Sequence, residues 1–206
     1  MINKFFAIIF ILLITLFGRA QVFHGMLFVG PNFTQVDGDE LIGYRKIGLH
    51  TGVGVQLHLG GRWYASMETI FNQKGSYKKY PNQWDDSMKL PYYNLRLNYV
   101  EVPLLVHFND SVLWGGVGFS AGRLTSFREI ERGKVIPWSW GTKPYRNMDY
   151  NVIVSVMFRI RGNLFFNFRY AYSMRYIRER TFHVDTRTWT RYQYNNILTF
   201  KFIYFI

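Results

Sequence analysis

Six ionisable side chains fall on one face of alternating segments: Glu68, Glu101, Asp149, Arg159, Arg169 and Lys201. If that face turns inward they must neutralise one another, because an unpaired charge in a narrow, dry interior is costly. The chemistry expected of them is a salt-bridged plug. The alternative is a small pore whose ion pairs exchange partners. A second set couples cations with rings: Arg128, Arg132, Lys134, Trp138 and Trp140, then Arg178, Arg180 and Trp189. An earlier stretch adds Lys74, Tyr77, Lys78, Lys79, Tyr80 and Trp84. Such loops suit phosphates through Arg and Lys, or a glycan or protein gripped by aromatic anchors. Catalysis finds little footing. His50, His58, His107 and His183 are present, but no spacing joins a Ser, a His and an acid, so no enzyme and no catalytic residue is expected. No metal-ligand spacing occurs and there is no cysteine, so neither metal nor cofactor is expected.

The elements that must position these residues are strands. In 191–206 every second residue from Tyr192 is Tyr, Asn, Leu, Phe or Ile, while the other set carries Arg191, Gln193, Asn195, Thr199 and Lys201. Side chains of a strand point alternately to opposite faces, so one face is greasy and the other largely wet. The same alternation predicts strands over Val22–Val36, Lys46–Leu59, Trp63–Lys78, Leu95–Phe108, Val112–Phe127, Met148–Ile160 and Leu164–Arg178. In the second, Ile47, Leu49, Val53, Val55 and Leu57 oppose Gly48, His50, Gly52, Gly54 and Gln56. Gly60-Gly61, Asn109-Asp110 and Arg161-Gly162-Asn163 read as tight turns, and longer polar loops separate the remaining strands. Pro103 cannot donate to a ladder, so a bulge or kink is expected there.

Eight strands with alternating short and long connections describe an all-β fold. It is an eight-stranded antiparallel up-and-down transmembrane β-barrel, with short periplasmic turns and long external loops. A closed barrel leaves no unpaired backbone edge in lipid. A soluble barrel of lipocalin type shares the spacing, but its greasy face points inward; here the glycine-rich face carries the charges. Met1–Ala20 reads as a cleaved signal peptide: Lys4 precedes the apolar run Phe5–Phe17, and Gly18 and Ala20 are small residues before the cut. Residues 21–206 then form one barrel domain. Aromatic residues make up 19% of the chain and its formal charge is +12. That balance admits anionic lipid, acidic glycan or nucleic acid, and export argues against the last.

The run Tyr99-Val100-Glu101-Val102-Pro103-Leu104-Leu105 resembles the Tyr-Val-Glu-Ile-Pro-Leu-Leu segment of PorT-type (porin family) outer-membrane β-barrel proteins. Gly30-Pro31-Asn32-Phe33-Thr34, Gly115-Gly116-Val117-Gly118 and Asp149 are similar to further family features, while Pro31, the strong basic charge and the final Ile206 depart from them. The resemblance implies an eight-stranded barrel in the bacterial outer membrane and little about its biochemical role. The expected partners are outer-membrane lipids including lipopolysaccharide, an envelope protein, and the barrel-assembly machinery, which would read Leu198, Phe200, Phe202, Tyr204 and Ile206. Nucleic acid is not expected. The functional expectation is a non-enzymatic barrel whose loops bind surface lipid, glycan or a protein partner; the alternatives are a narrow pore or an accessory of a transport or secretion apparatus, and a lipid A-modifying enzyme.

Overall fold

The computed structural model describes residues 23–39, 41, 43–79, 91–184 and 187–206, without the side chains of 182–187. The expected signal peptide and the positions Tyr80 and Trp84 lie outside the described residues, as do the side chains of His183 and Arg187. The elements are β1 (Phe23–Asp37), β2 (Lys46–Gly60), β3 (Trp63–Lys78), β4 (Tyr93–Asp110), β5 (Leu113–Glu131), β6 (Lys134–Val135), β7 (Met148–Arg161), β8 (Leu164–Ser173), β9 (Arg178–Val184) and β10 (Arg187–Phe205). Eight of them, β1–β2–β3–β4–β5–β7–β8–β10, form an antiparallel ring that closes where β1 meets β10, from Met26↔Phe205 to Asp37↔Tyr194. The other two, β6 and β9, extend hairpins above the ring at the loop end.

The turn end is built by residues that accept positive φ: Gly60 and Gly61, Ser111, and Gly162. At the loop end β5 turns into β6 through Arg132 and Gly133, both at positive φ, as a two-residue hairpin twisting with its strands requires. The seventh predicted strand is cut short. β8 stops at Ser173, four residues follow, and β9 begins at Arg178 and pairs with β10 instead of prolonging the wall.

Pro103 does not produce the expected bulge. It keeps register with Ser120 of β5, and the β3–β4 ladder simply skips from Met67↔Leu104 to Ile70↔Glu101. The missing N–H interrupts two pairs without shifting the strand. The bulge on this wall lies elsewhere, between Asn98 and Tyr99, where Thr125 is the extra residue and its hydroxyl donates to the Asn98 carbonyl at 3.0 Å.

The wall is apolar outside and charged inside. Leu27, Val53, Met67, Val102, Val154 and Phe202 are all exposed, one from each of six strands. Glu68, Lys74, Glu101, Asp149, Arg169 and Lys201 are all buried. A soluble barrel would reverse this arrangement; lipid around the wall is what makes it stable.

Candidate functional site

The lumen is filled in layers. Near the turn end Met26, Phe28, Ile70, Trp114, Met157, Phe165, Ile203 and Phe205 form an apolar cap. Phe165 and Phe205 turn inward here, whereas Trp63 and Phe108 meet on the outside, edge to face at 5.0 Å. Above the cap lies the first ionic cluster. Arg169 grips Glu68 with both terminal nitrogens, at 2.9 and 2.7 Å, and Lys201 reaches the same carboxylate at 3.1 Å. The Lys201 ammonium also stands 4.0 Å over the Phe28 ring. This cluster carries one excess positive charge.

The second cluster carries the opposite excess. Lys74 meets Glu101 at 2.5 Å and Asp149 at 2.8 Å. Asn72 donates to Glu101, while Asn195 and Ser173 donate to Asp149, so both carboxylates are also held by neutral donors. Asn72 accepts from Asn32, and Asn32 accepts from Thr199, so an amide chain runs on from the second cluster to the β1–β10 seam. Gly122 lies opposite Glu101, and a Cβ there would stand 2.6 Å from Glu101 Cγ; the missing side chain is the room the carboxylate uses. Between the clusters sit Leu105, Ile153, Ala171 and Ile197.

Lys74 is the residue the sequence reading misplaced. Its spacing in β3 places it on the inner face, not among the loop cations. It is fully buried and is the only cation bonded to the Glu101–Asp149 pair among the described residues. Arg159 errs in the other direction. It is exposed at the turn-end mouth, where its guanidinium lies 5.2 Å from the Phe165 ring centre and lines a small hollow with Gln56, Tyr64 and Asn109. It forms no ion pair among the described residues.

Two of the loop candidates are likewise not surface groups. Arg178 is buried and donates to Glu129 at 2.7 Å and to the Tyr145 hydroxyl at 2.9 Å. Trp138 donates to the other Glu129 oxygen at 2.6 Å, and Tyr93 also donates to Glu129. Glu129 therefore fastens two loops across the loop end, over an apolar cap that includes Val36, Leu95, Leu97, Tyr99 and Ile177. Arg178 turns inward because β8 has already ended and β9 starts on a new course. Arg180 is half-buried and pairs with Glu131 at 2.8 Å, and Trp189 is half-buried on β10.

Arg128, Arg132, Lys134 and Trp140 remain exposed at the loop end. Lys143 stands 3.7 Å over the Trp140 ring. The outer rim adds cations the sequence reading did not single out. Arg96 on β4 is exposed and stands directly opposite Arg128 on β5.

Asp39, in the loop after β1, is buried and accepts from the Leu41 amide at 2.8 Å. Burial pushes its carboxyl up to about 6, against the opposing pull of Ser76, that amide and Arg180. The folded state thus holds this proton more tightly than the unfolded chain, whose ordinary value is 3.8. The contribution is fully present below that value and is lost as pH rises through about 6, a change of about 3 kcal/mol. Asp39→Asn should therefore be more stable than the parent at pH 7.5. It should also flatten the stability slope between pH 4 and 7, read by urea unfolding in detergent micelles.

No curated protein matches the chain in sequence. Solved structures similar to it include Neisserial surface protein A, at 13% identity over 90% of this chain and 99% of that one, with a TM-score of 0.49. The attachment invasion locus protein Ail of Yersinia pestis gives 12% identity over 89% of this chain and 98% of that one, with a TM-score of 0.49. The outer membrane protein AlkL gives 13% over 88% of this chain and 90% of that one, with a TM-score of 0.41. The family model for the outer membrane protein β-barrel domain matches residues 20–178, from the first strand to the start of β9, so the chain belongs to that family and its apolar wall is the one a barrel of the bacterial outer membrane turns to lipid.

Proposed function

We propose that the protein is a non-catalytic, non-conducting barrel that presents a basic rim to anionic lipid or glycan, with its loop end outside the cell and its turns in the periplasm. The observation that carries this reading is the Arg96–Arg128 pair. Like charges directly opposite one another across a ladder are destabilising, and no carboxylate among the described residues pairs with either arginine. A phosphate or sulfate held between two guanidinium forks would turn that repulsion into a pair of charge-assisted hydrogen bonds. Two apolar caps and two ionic clusters occupy the lumen, which supports a binding platform over the narrow-pore alternative.

We read the barrel as PorT-type on the run Tyr99–Leu105, whose inward Tyr99, Glu101 and Leu105 are all buried lumen residues. In this reading the motif fills the barrel and leaves recognition to the rim.

The test is a titration of the detergent-solubilised protein with purified lipopolysaccharide. Arg96→Gln/Arg128→Gln should bind about tenfold more weakly, equal to about 1.4 kcal/mol, with a shallower salt dependence and unchanged heat-modifiable mobility. Equal binding by the parent and the double variant would remove the rim from the proposal.

A further inference from the structure

On the outer wall near the loop end, β1, β2 and β3 and the connections beside them line an open hollow of about 560 Å³. Its apolar side is Phe33 and Ile47, cross-strand neighbours that point outward, with Ile47 65% exposed. Phe33 continues into the lipid-facing wall through an edge-to-face contact with Phe200 at 5.6 Å. Toward the loop end the lining adds three cations, Arg45, Lys78 and Lys79, and no carboxylate lines the hollow. None of the three pairs with an acid among the described residues. Two tyrosines stand between the halves. Tyr44 is fixed by donating its hydroxyl to Asn196 at 2.6 Å, and Tyr77 is the penultimate residue of β3.

This is a two-part surface, apolar toward the membrane and cationic above it. A neutral lipid would leave the cations unused, and a soluble anion would leave Phe33 and Ile47 unused. The ligand that satisfies both is an amphiphile with acyl chains and phosphates joined at one headgroup. Tyrosine rings at the join suit the membrane–water boundary, where an apolar body and a polar tip are both accommodated. The volume is also in the range of a built ligand site.

We propose that this hollow is the seat of a phosphorylated, acylated glycolipid of the outer leaflet, with the chemistry of lipid A. Its phosphates would lie on Arg45, Lys78 and Lys79, and one acyl chain would lie along Phe33 and Ile47. The proposal rests on the reading that the loop end faces the outside, and it adds a position and a ligand class that the Arg96–Arg128 pair does not supply.

The experiment titrates the whole detergent-solubilised protein with lipid A and, separately, with its fully deacylated sugar bisphosphate. Heat-modifiable mobility monitors folding of each variant. Arg45→Gln/Lys78→Gln/Lys79→Gln should lower lipid A affinity by about tenfold or more, as expected for lost charge-assisted contacts. Ile47→Ser should lower it by a few-fold and leave bisphosphate binding unchanged. If the triple variant binds lipid A like the parent while Arg96→Gln/Arg128→Gln binds weakly, the hollow is overturned and the rim stands. If both variants bind like the parent, both readings are overturned. If the parent binds the deacylated bisphosphate as tightly as lipid A, the hollow is a site for soluble anions and the glycolipid seat is overturned.

Discussion

Lys74→Met should lose about 3–5 kcal/mol of stability, seen as a large drop in the urea midpoint in detergent micelles. The side chain is fully buried and supplies the only positive charge bonded to Glu101 and Asp149 among the described residues. Methionine replaces its volume but leaves two carboxylates in the lumen with only Asn72, Asn195 and Ser173 as donors. Hydrogen bonds from neutral groups hold a carboxylate in place, but they do not offset two like charges in a low dielectric. The charge argument has its own control. Adding Glu101→Gln and Asp149→Asn to Lys74→Met removes every charge of the cluster and should restore most of the lost stability. A triple variant as unstable as the single one would mean that packing, and not charge, explains the loss.

Gly30→Val should fail to close the barrel. Gly30 lies on the β1–β10 seam, where the ladder skips from Val29↔Phe202 to Asn32↔Thr199. A Cβ at Gly30 would stand 1.9 Å from the Phe200 carbonyl oxygen and 2.5 Å from Lys201 Cα. Neither is the end of a flexible side chain, so the strands themselves would have to part. Parting exposes two strand edges to lipid, where backbone groups find no water. The expected cost is above about 3 kcal/mol, with loss of the compact, heat-modifiable band. Gly25→Ala is the matched control at the same seam. Its Cβ would lie 3.7 Å from Ile206 Cβ, an ordinary contact, and that variant should fold like the parent. Equal folding of Gly30→Val and Gly25→Ala would show that the seam is looser than its geometry implies.

Much of the architecture is legible in the local pattern of the chain. The third strand has the expected bounds, Trp63–Lys78, and the first and second each run one residue further at their C-terminal ends, to Asp37 and Gly60. Turn chemistry at Gly60-Gly61 and Gly162 and strict alternation are local properties, set by φ and by the pleat, so neighbouring residues suffice to reveal them. The loop candidates Arg178 and Trp138 are misjudged where the chain leaves the wall. Nothing local says that the strand starting at Leu164 ends at Ser173, because Tyr176 and Arg178 continue a plausible pattern; pairing of β9 with β10 decides it. That single departure moved Arg178 from a surface candidate to a buried partner of Glu129.

The amino-acid sequence by itself determined the number of ring strands, the tight turns and the inward face of Glu68, Glu101, Asp149, Arg169 and Lys201, since a period of two residues fixes sidedness wherever a regular strand exists. It did not determine height along the barrel axis. Whether Lys74 meets Asp149 or a lipid phosphate depends on strand tilt and register summed around a closed ring, and no single segment contains that sum. The tertiary structure alone therefore decided that Glu68 would gather Arg169 and Lys201, that Lys74 would gather Glu101 and Asp149, and that Arg96 would stand opposite Arg128 on the outer wall.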